Sequence, residues 1–220
     1  MTLQKPEKQG LSIVLLGDFS PKIFQPAWFA AQELLRKQEA EQASIKIIHS
    51  DVVEFSLDWC RIVATQNRFH LSTLQEPYYE PLRDLALGTF KLLMHTPLRM
   101  MGINLEKTFR LESEGAWHEY GNRFAPKRPW AKILKKPGLR TLTMEDVRPD
   151  QLPGYIRVTV QPSEEIHPAL FLFVNDHYQA ENPETVLGAN ELITMLEKCW
   201  EPSMTRSNQI MNHLLENGHE

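Results

Sequence analysis

Cysteine is scarce in this chain: Cys60 and Cys199 are the only two in 220 residues. They lie far apart and without metal-ligand spacing, which excludes a disulfide framework and points to a reducing compartment. No stretch approaches the roughly 18 successive apolar residues of a membrane-crossing helix. Residues 1–10 are polar and mixed in charge, and the apolar run at 13–16 is too short for a signal-peptide core. A cytoplasmic protein without a membrane span is therefore expected. Nor is there a large excess of one charge: the formal net charge is −4 and the pI is near 6.1, which excludes a chain that coats nucleic acid by bulk charge. The signatures HExxH, Cys-x-x-Cys, Gly-x-Ser-x-Gly, Walker A and Gly-x-Gly-x-x-Gly are all missing. A zinc hydrolase, an α/β-hydrolase, a P-loop ATPase and a nicotinamide enzyme thus lose their usual support.

What is present is globular. Hydrophobic residues make up 42% and charged residues 24%, enough to fill a core and too apolar for wholesale disorder. Fifteen prolines predict many abrupt element boundaries. Residues 12–17 (SIVLLG) read as a buried strand, and residues 27–41 as a helix entered through Pro26, with Trp28, Ala31 and Leu35 on one stripe. Ile45–Ile48 begin a further extended segment. Val53, Phe55, Leu57 and Trp59 then alternate with polar residues, a strand with one wet face. The parity changes after Cys60, where a bulge is expected, and Gln66-Asn67 is expected to turn the chain through positive φ into a strand at 69–73. Pro77 and Pro81 open a helix to about residue 95, followed by a long strand at 98–111. This order, β-α-β-β-α-β, is that of ferredoxin-like folds.

In the second half, Ser113 is placed to cap a helix. Strands are expected at 139–144, 155–160 and 169–174, and a final helical pair or one kinked helix at 188–215, with Pro202 at the break. The fold class is thus α+β, with a ferredoxin-like half at 1–111, an α-β-β-β-α half at 112–220 and a largely antiparallel sheet. The two halves are expected to share a core.

Several of these segments carry a resemblance: residues 13–29 (IVLLGDFSPKIFQPAWF), 55–59 (FSLDW), 75–93 (QEPYYEPLRDLALGTFKLL), 97–104 (PLRMMGIN), 175–178 (NDHY) and the closing helix. Together they resemble an uncharacterised, sporadically distributed group of bacterial hypothetical proteins with no assigned activity. The resemblance implies the fold outline and a bacterial cytoplasmic setting; it assigns no catalytic residue.

The least generic feature is the segment 123–140 (RFAPKRPWAKILKKPGLR). It holds Arg123, Lys127, Arg128, Lys132, Lys135, Lys136 and Arg140 without one carboxylate, while the rest of the chain carries a net charge of −11. With Trp130 and Phe124 interleaved, its functional reading is a binding site for phosphates or, more in keeping with the absence of an RNP-like strand or a GXXG loop, for an acidic protein partner. Its bland reading is a solvated helix–loop face that neutralises the acidic remainder through surface pairs worth little each. Glu76, Glu80 and Asp84 cluster with Arg83, Tyr78 and Tyr79 at a strand-to-helix junction and are the candidate acid–base or cation site. Their bland reading is macrodipole-stabilised helix-start chemistry. His177 beside Asp176 suggests half of a general-base pair, yet neighbours on a strand point to opposite faces. Met94, Met100, Met101, Met195, Met204 and Met211, with Trp28, Trp117, Trp130 and Trp200, are core or contact surface. The expectation is a non-catalytic interaction protein that binds a protein partner, or itself, through the basic segment and the C-terminal helix. No cofactor or metal is expected. The alternatives are a carboxylate- or metal-assisted enzyme acting on a phosphorylated substrate, and a nucleic-acid-binding module.

Overall fold

The computed structural model describes residues 5–216, so the first four residues of the polar N-terminal stretch lie outside it. Nine strands form one antiparallel sheet: β1 Lys8–Gly17, β2 Ser44–Ile48, β3 Val52–Ser56, β4 Arg61–Thr65, β5 Arg68–Thr73, β6 Leu98–Arg110, β7 Leu142–Val147, β8 Gly154–Pro162 and β9 Ala169–Gln179. Their order across the sheet is β2-β3-β4-β5-β1-β6-β9-β8-β7. Five helices accompany them: α1 Pro26–Ala31, α2 Lys37–Glu41, α3 Tyr79–Leu92, α4 Glu114–Phe124 and α5 Asn190–Glu216. The mixed α/β composition and the antiparallel sheet are as expected.

The first half holds more strands than the six-element string allows, because residues 53–64 do not form one bulged strand. β3 and β4 pair antiparallel with Ser56 opposite Arg61, and residues 57–60 close a hairpin in which the Leu57 N–H donates to the Cys60 carbonyl at 2.8 Å. The change of parity at Cys60 thus marks a reversal of the chain, and Cys60 is buried in the turn, where desolvation pushes its thiol up to about 12. Residues 66–67 do turn the chain, but without left-handed backbone; among described non-glycine residues only Glu33 and Gln151 have positive φ.

Glu33 lies where the expected helix at 27–41 divides into α1 and α2. Phe29 and Leu35 are both buried. At 3.6 residues per turn an unbroken helix would set them about 120° apart around its axis, so the break is what lets both face the core. Ser113 caps α4 as expected, accepting from the Ala116 N–H at 3.1 Å. α5 is one continuous helix with Pro202 inside it.

Side chains of alternate parity on the central strands, including Ile13, Leu71, Ile103 and Val174, are fully buried. α3 packs on β1 and β5, and α5 on β6 and β9, on this face. Phe29 of α1 meets Phe55 there at 6.0 Å, and α4 is tied to the end of α5. The buried cluster runs without interruption through strands of both halves. The topology also repeats: β5 flanks β1 and leads into α3, as β9 flanks β6 and leads into α5, with β1 and β6 paired at the centre.

Candidate interaction site

The basic segment leaves the C-terminal end of α4 and returns to the sheet at β7. Proline at 126, 129 and 137 prevents a regular element. One helical turn survives, in which Trp130 and Ala131 donate to the Lys127 carbonyl at 2.9 and 3.1 Å. That turn presents Trp130, Ile133 and Leu134 to solvent at 49%, 71% and 51% exposure. Lys127, Arg128, Lys132, Lys135 and Lys136 are exposed around it.

The seven basic residues do not act as one group. Arg123 faces inward: its guanidinium donates to the Leu214 carbonyl at the end of α5 and lies 4.7 and 4.5 Å from the rings of Tyr120 and Phe124. Burial pulls its pKa down. Its role is to bind α4 to α5, together with the Tyr120 hydroxyl, which donates to the Leu215 carbonyl. Arg140 pairs with Glu164 at 2.9 Å on the surface.

Between α4 and the returning segment is a cavity of about 430 Å³. Trp117, Leu139, Pro162 and Leu170 give it an apolar lining, and Lys127, Lys135 and Lys136 belong to its wall without a carboxylate among the lining residues. The sequence pointed to the lysines but not to Leu139, Pro162 or Leu170. They come from three separate strand ends and loops, and no spacing rule connects them to α4.

The other sequence candidates do not converge. Glu76 accepts from Gln9 Nε2 at 2.9 Å, Asp84 pairs with Arg83 at 2.8 Å, and these two and Glu80 are exposed on successive turns at the start of α3. No group of three or more His, Cys, Asp or Glu side chains among the described residues is placed to hold a metal ion. Asn175, Asp176, His177 and Tyr178 lie inside β9, which runs on to Gln179 instead of ending near residue 174. Alternation sends Asp176 and Tyr178 into the core and His177 to the opposite face, which separates the Asp–His pair.

Asp176 is instead part of a buried charge network that the sequence did not reveal. Its side chain is 1% exposed and Arg148, its partner, 0%. Arg206 of α5 reaches Asp176 at 3.1 Å and Asp150 at 3.3 Å. The Arg148 guanidinium lies 3.6 Å from the Tyr178 ring and donates to the His177 carbonyl at 3.1 Å. Tyr178 Oη is 2.6 Å from Ser203 Oγ of α5. Gly154 closes the network at φ 135°, where a Cβ would stand 2.1 Å from the His177 carbonyl oxygen. The arrangement pins α5 and the 148–154 turn to β9, and each carboxylate oxygen is occupied by a guanidinium donor.

The C-terminal helix is likewise occupied. Leu192, Ile193, Leu196, Trp200, Ser203, Ser207 and Met211 are buried along its length, so its apolar stripe is core and does not form a free docking face. No helix among the described residues is long and apolar enough to cross a membrane. Comparison with protein-family models finds no match, and comparison with curated proteins finds none either.

Proposed function

We propose that this is a non-catalytic interaction protein that holds an acidic segment of a protein partner in the cavity between α4 and the basic segment. The observation that carries the reading is the composition of that cavity: an apolar lining from Trp117, Leu139 and Leu170 combined with three lysines and no carboxylate. Such a lining suits a chain segment with a hydrophobic anchor residue flanked by aspartate or glutamate. The anchor supplies affinity by leaving water, and the lysines steer and orient the encounter. Trp130, Ile133 and Leu134 beside the cavity extend the apolar contact. The C-terminal helix participates from beneath: its last carbonyls, held by Tyr120 and Arg123, fix the position of α4.

The test is fluorescence anisotropy with labelled peptides in which a central leucine or phenylalanine is flanked by glutamates. Binding is expected to weaken with salt and to be lost in the Lys135→Glu/Lys136→Glu protein. A peptide with the anchor replaced by serine should bind about tenfold more weakly. Equal binding by the charge-reversed protein would remove the cavity as the interface.

A further inference from the structure

The helices that pack on the sheet take one face, and the other presents a second cavity of about 260 Å³ lined by strand residues. Cross-strand register arranges its chemistry in rows. Ser72, Ser12, Asn104, Asn175 and Arg157 are successive partners on β5, β1, β6, β9 and β8. The adjacent row on the same face reads His70, Val14, Gly102, His177 and Tyr155. Ser12, Ser72 and Gly102 keep the middle of the sheet low, and beyond them the Glu106 side chain covers Gly10 and bounds the trough at that end. Phe173, His177 and Tyr155 form a wall on β8 and β9, and Arg68 stands on β5 across the trough.

Three properties of the trough restrict what it can hold. Its lining contains two guanidinium groups, Arg68 and Arg157, and no carboxylate, which favours an anion. Arg157 shares its charge with Glu145 at 2.6 Å at the sheet's edge, whereas Arg68 has no ion pair among the described residues. The wall presents ring faces: His177 stacks on Tyr155 at 4.3 Å and 13°, with the Arg157 guanidinium 4.7 Å from the same phenol ring. Burial lowers the pKa of both imidazoles, that of His70 to about 4, aided by Arg68 and Arg61, so at neutral pH they are uncharged ring surfaces. Finally, Asn175 Nδ2 donates to Asn104 Oδ1, and Asn104 Nδ2 to Ser12 Oγ at 3.1 Å. This fixes the amides in line and leaves Asn175 Oδ1 and the Ser12 hydroxyl proton as an ordered acceptor and donor.

We propose that this trough binds a nucleotide unit, its base against the Phe173–His177 wall with its edge on the Asn175–Asn104–Ser12 line and its phosphate on Arg68 and Arg157. A planar ring, a hydrogen-bonding edge and a negative group at one ligand are the combination that the three properties require. An acyl chain lacks the edge, and a sugar phosphate lacks the ring. The unit comes either as a free mononucleotide or as one residue of a single strand laid along the polar row, as open sheet faces with aromatic residues accept single-stranded RNA. The site is separate from the lysine-lined cavity, and the two readings fail independently.

The experiment is titration of the full chain with AMP, GMP, CMP and UMP by calorimetry, and with fluorescein-labelled oligo(A) and oligo(U) by anisotropy at low and moderate salt. Phe173→Ala should weaken binding about tenfold, the order expected for loss of one stacked base. Arg68→Ala/Arg157→Ala should lower the salt slope of oligonucleotide binding by about 0.7, the single-strand value for the one phosphate they hold. Saturation by a mononucleotide at the oligonucleotide's affinity assigns the site to a free nucleotide; much tighter oligonucleotide binding assigns it to a strand. In the unmodified protein, the His70 and His177 ring resonances should shift on addition of the bound species, a readout that depends on no variant's folding. The proposal is overturned if none of these probes binds. It is also overturned if binding survives all three substitutions but disappears in Lys135→Glu/Lys136→Glu, or if the arginine variants change only a concentration-dependent dimer mass, which would make a second copy the occupant.

Discussion

At the scale of single residues, Asp176 has the most demanding environment in the molecule. It is fully buried with Arg148, and its two oxygens serve guanidinium groups from the 148–154 turn and from α5. Replacing a buried ion pair as a whole by apolar groups is often tolerated, but removing one partner leaves the other charge desolvated and alone. Asp176→Asn keeps the size and removes the charge, leaving Arg148 with Asp150 as its only carboxylate. A loss of about 3–5 kcal/mol is expected, read as a lower urea midpoint at unchanged slope. A loss below about 1 kcal/mol would show that Asp150 alone suffices for both arginines. The alternation of β9 in the sequence already placed Asp176 and His177 on opposite faces. Arg148 was illegible because it follows β7 in a turn, where no periodicity tells an inward arginine from a solvated one.

At the scale of elements, legibility followed how much of the burial pattern was local. β1, α3, β6 and α4 lie close to where apolar runs, prolines and the Ser113 cap placed them, since each carries its own period and its own stop signal. A hairpin at 57–60 and a bulge produce the same change of parity in the sequence; only the pairing of Ser56 with Arg61 separates them. α5 kept its length in spite of Pro202. A proline inside a helix removes one backbone hydrogen bond and crowds the preceding turn, at a cost of about 3 kcal/mol in an isolated helix. Here the cost is offset by burial of Leu196, Trp200, Ser203 and Met211 against the sheet and α3. Pro202 itself is exposed. Pro202→Ala should therefore raise stability by about 1–2 kcal/mol, less than the full helix penalty because the surrounding packing already holds the helix in place. A destabilised Pro202→Ala protein would mean that the proline's own backbone geometry is what seats Trp200 and Ser203.

At the scale of the whole molecule, the sequence shows no repeat, yet the topology has one, because the repeat lies in pairing order and not in residue identity. Residues 8–92 and 98–216 each supply a central strand, β1 and β6, a meander that returns beside it and a helix that covers the join. The same long-range pairing explains what was legible of the sites. A run of basic residues is visible in one dimension, whereas Arg68, Asn104, Phe173 and Arg157 meet only when β5, β6, β9 and β8 are laid in order. Division of the chain near residue 111 would cut between β6 and α4 but leave β6 paired on one side to β1 and on the other, over eleven successive positions, to β9. β6 would then lose its β9 partner, β9 would be left with an open edge, and neither half could bury its share of the common cluster alone. Unfolding should accordingly be one cooperative event in spite of the chain's length. Variants that keep Trp28 alone, in α1, or Trp200 alone, in α5, should report the same urea midpoint by fluorescence. Two separated midpoints would show instead that the β6–β9 seam opens first and that each half holds together by itself.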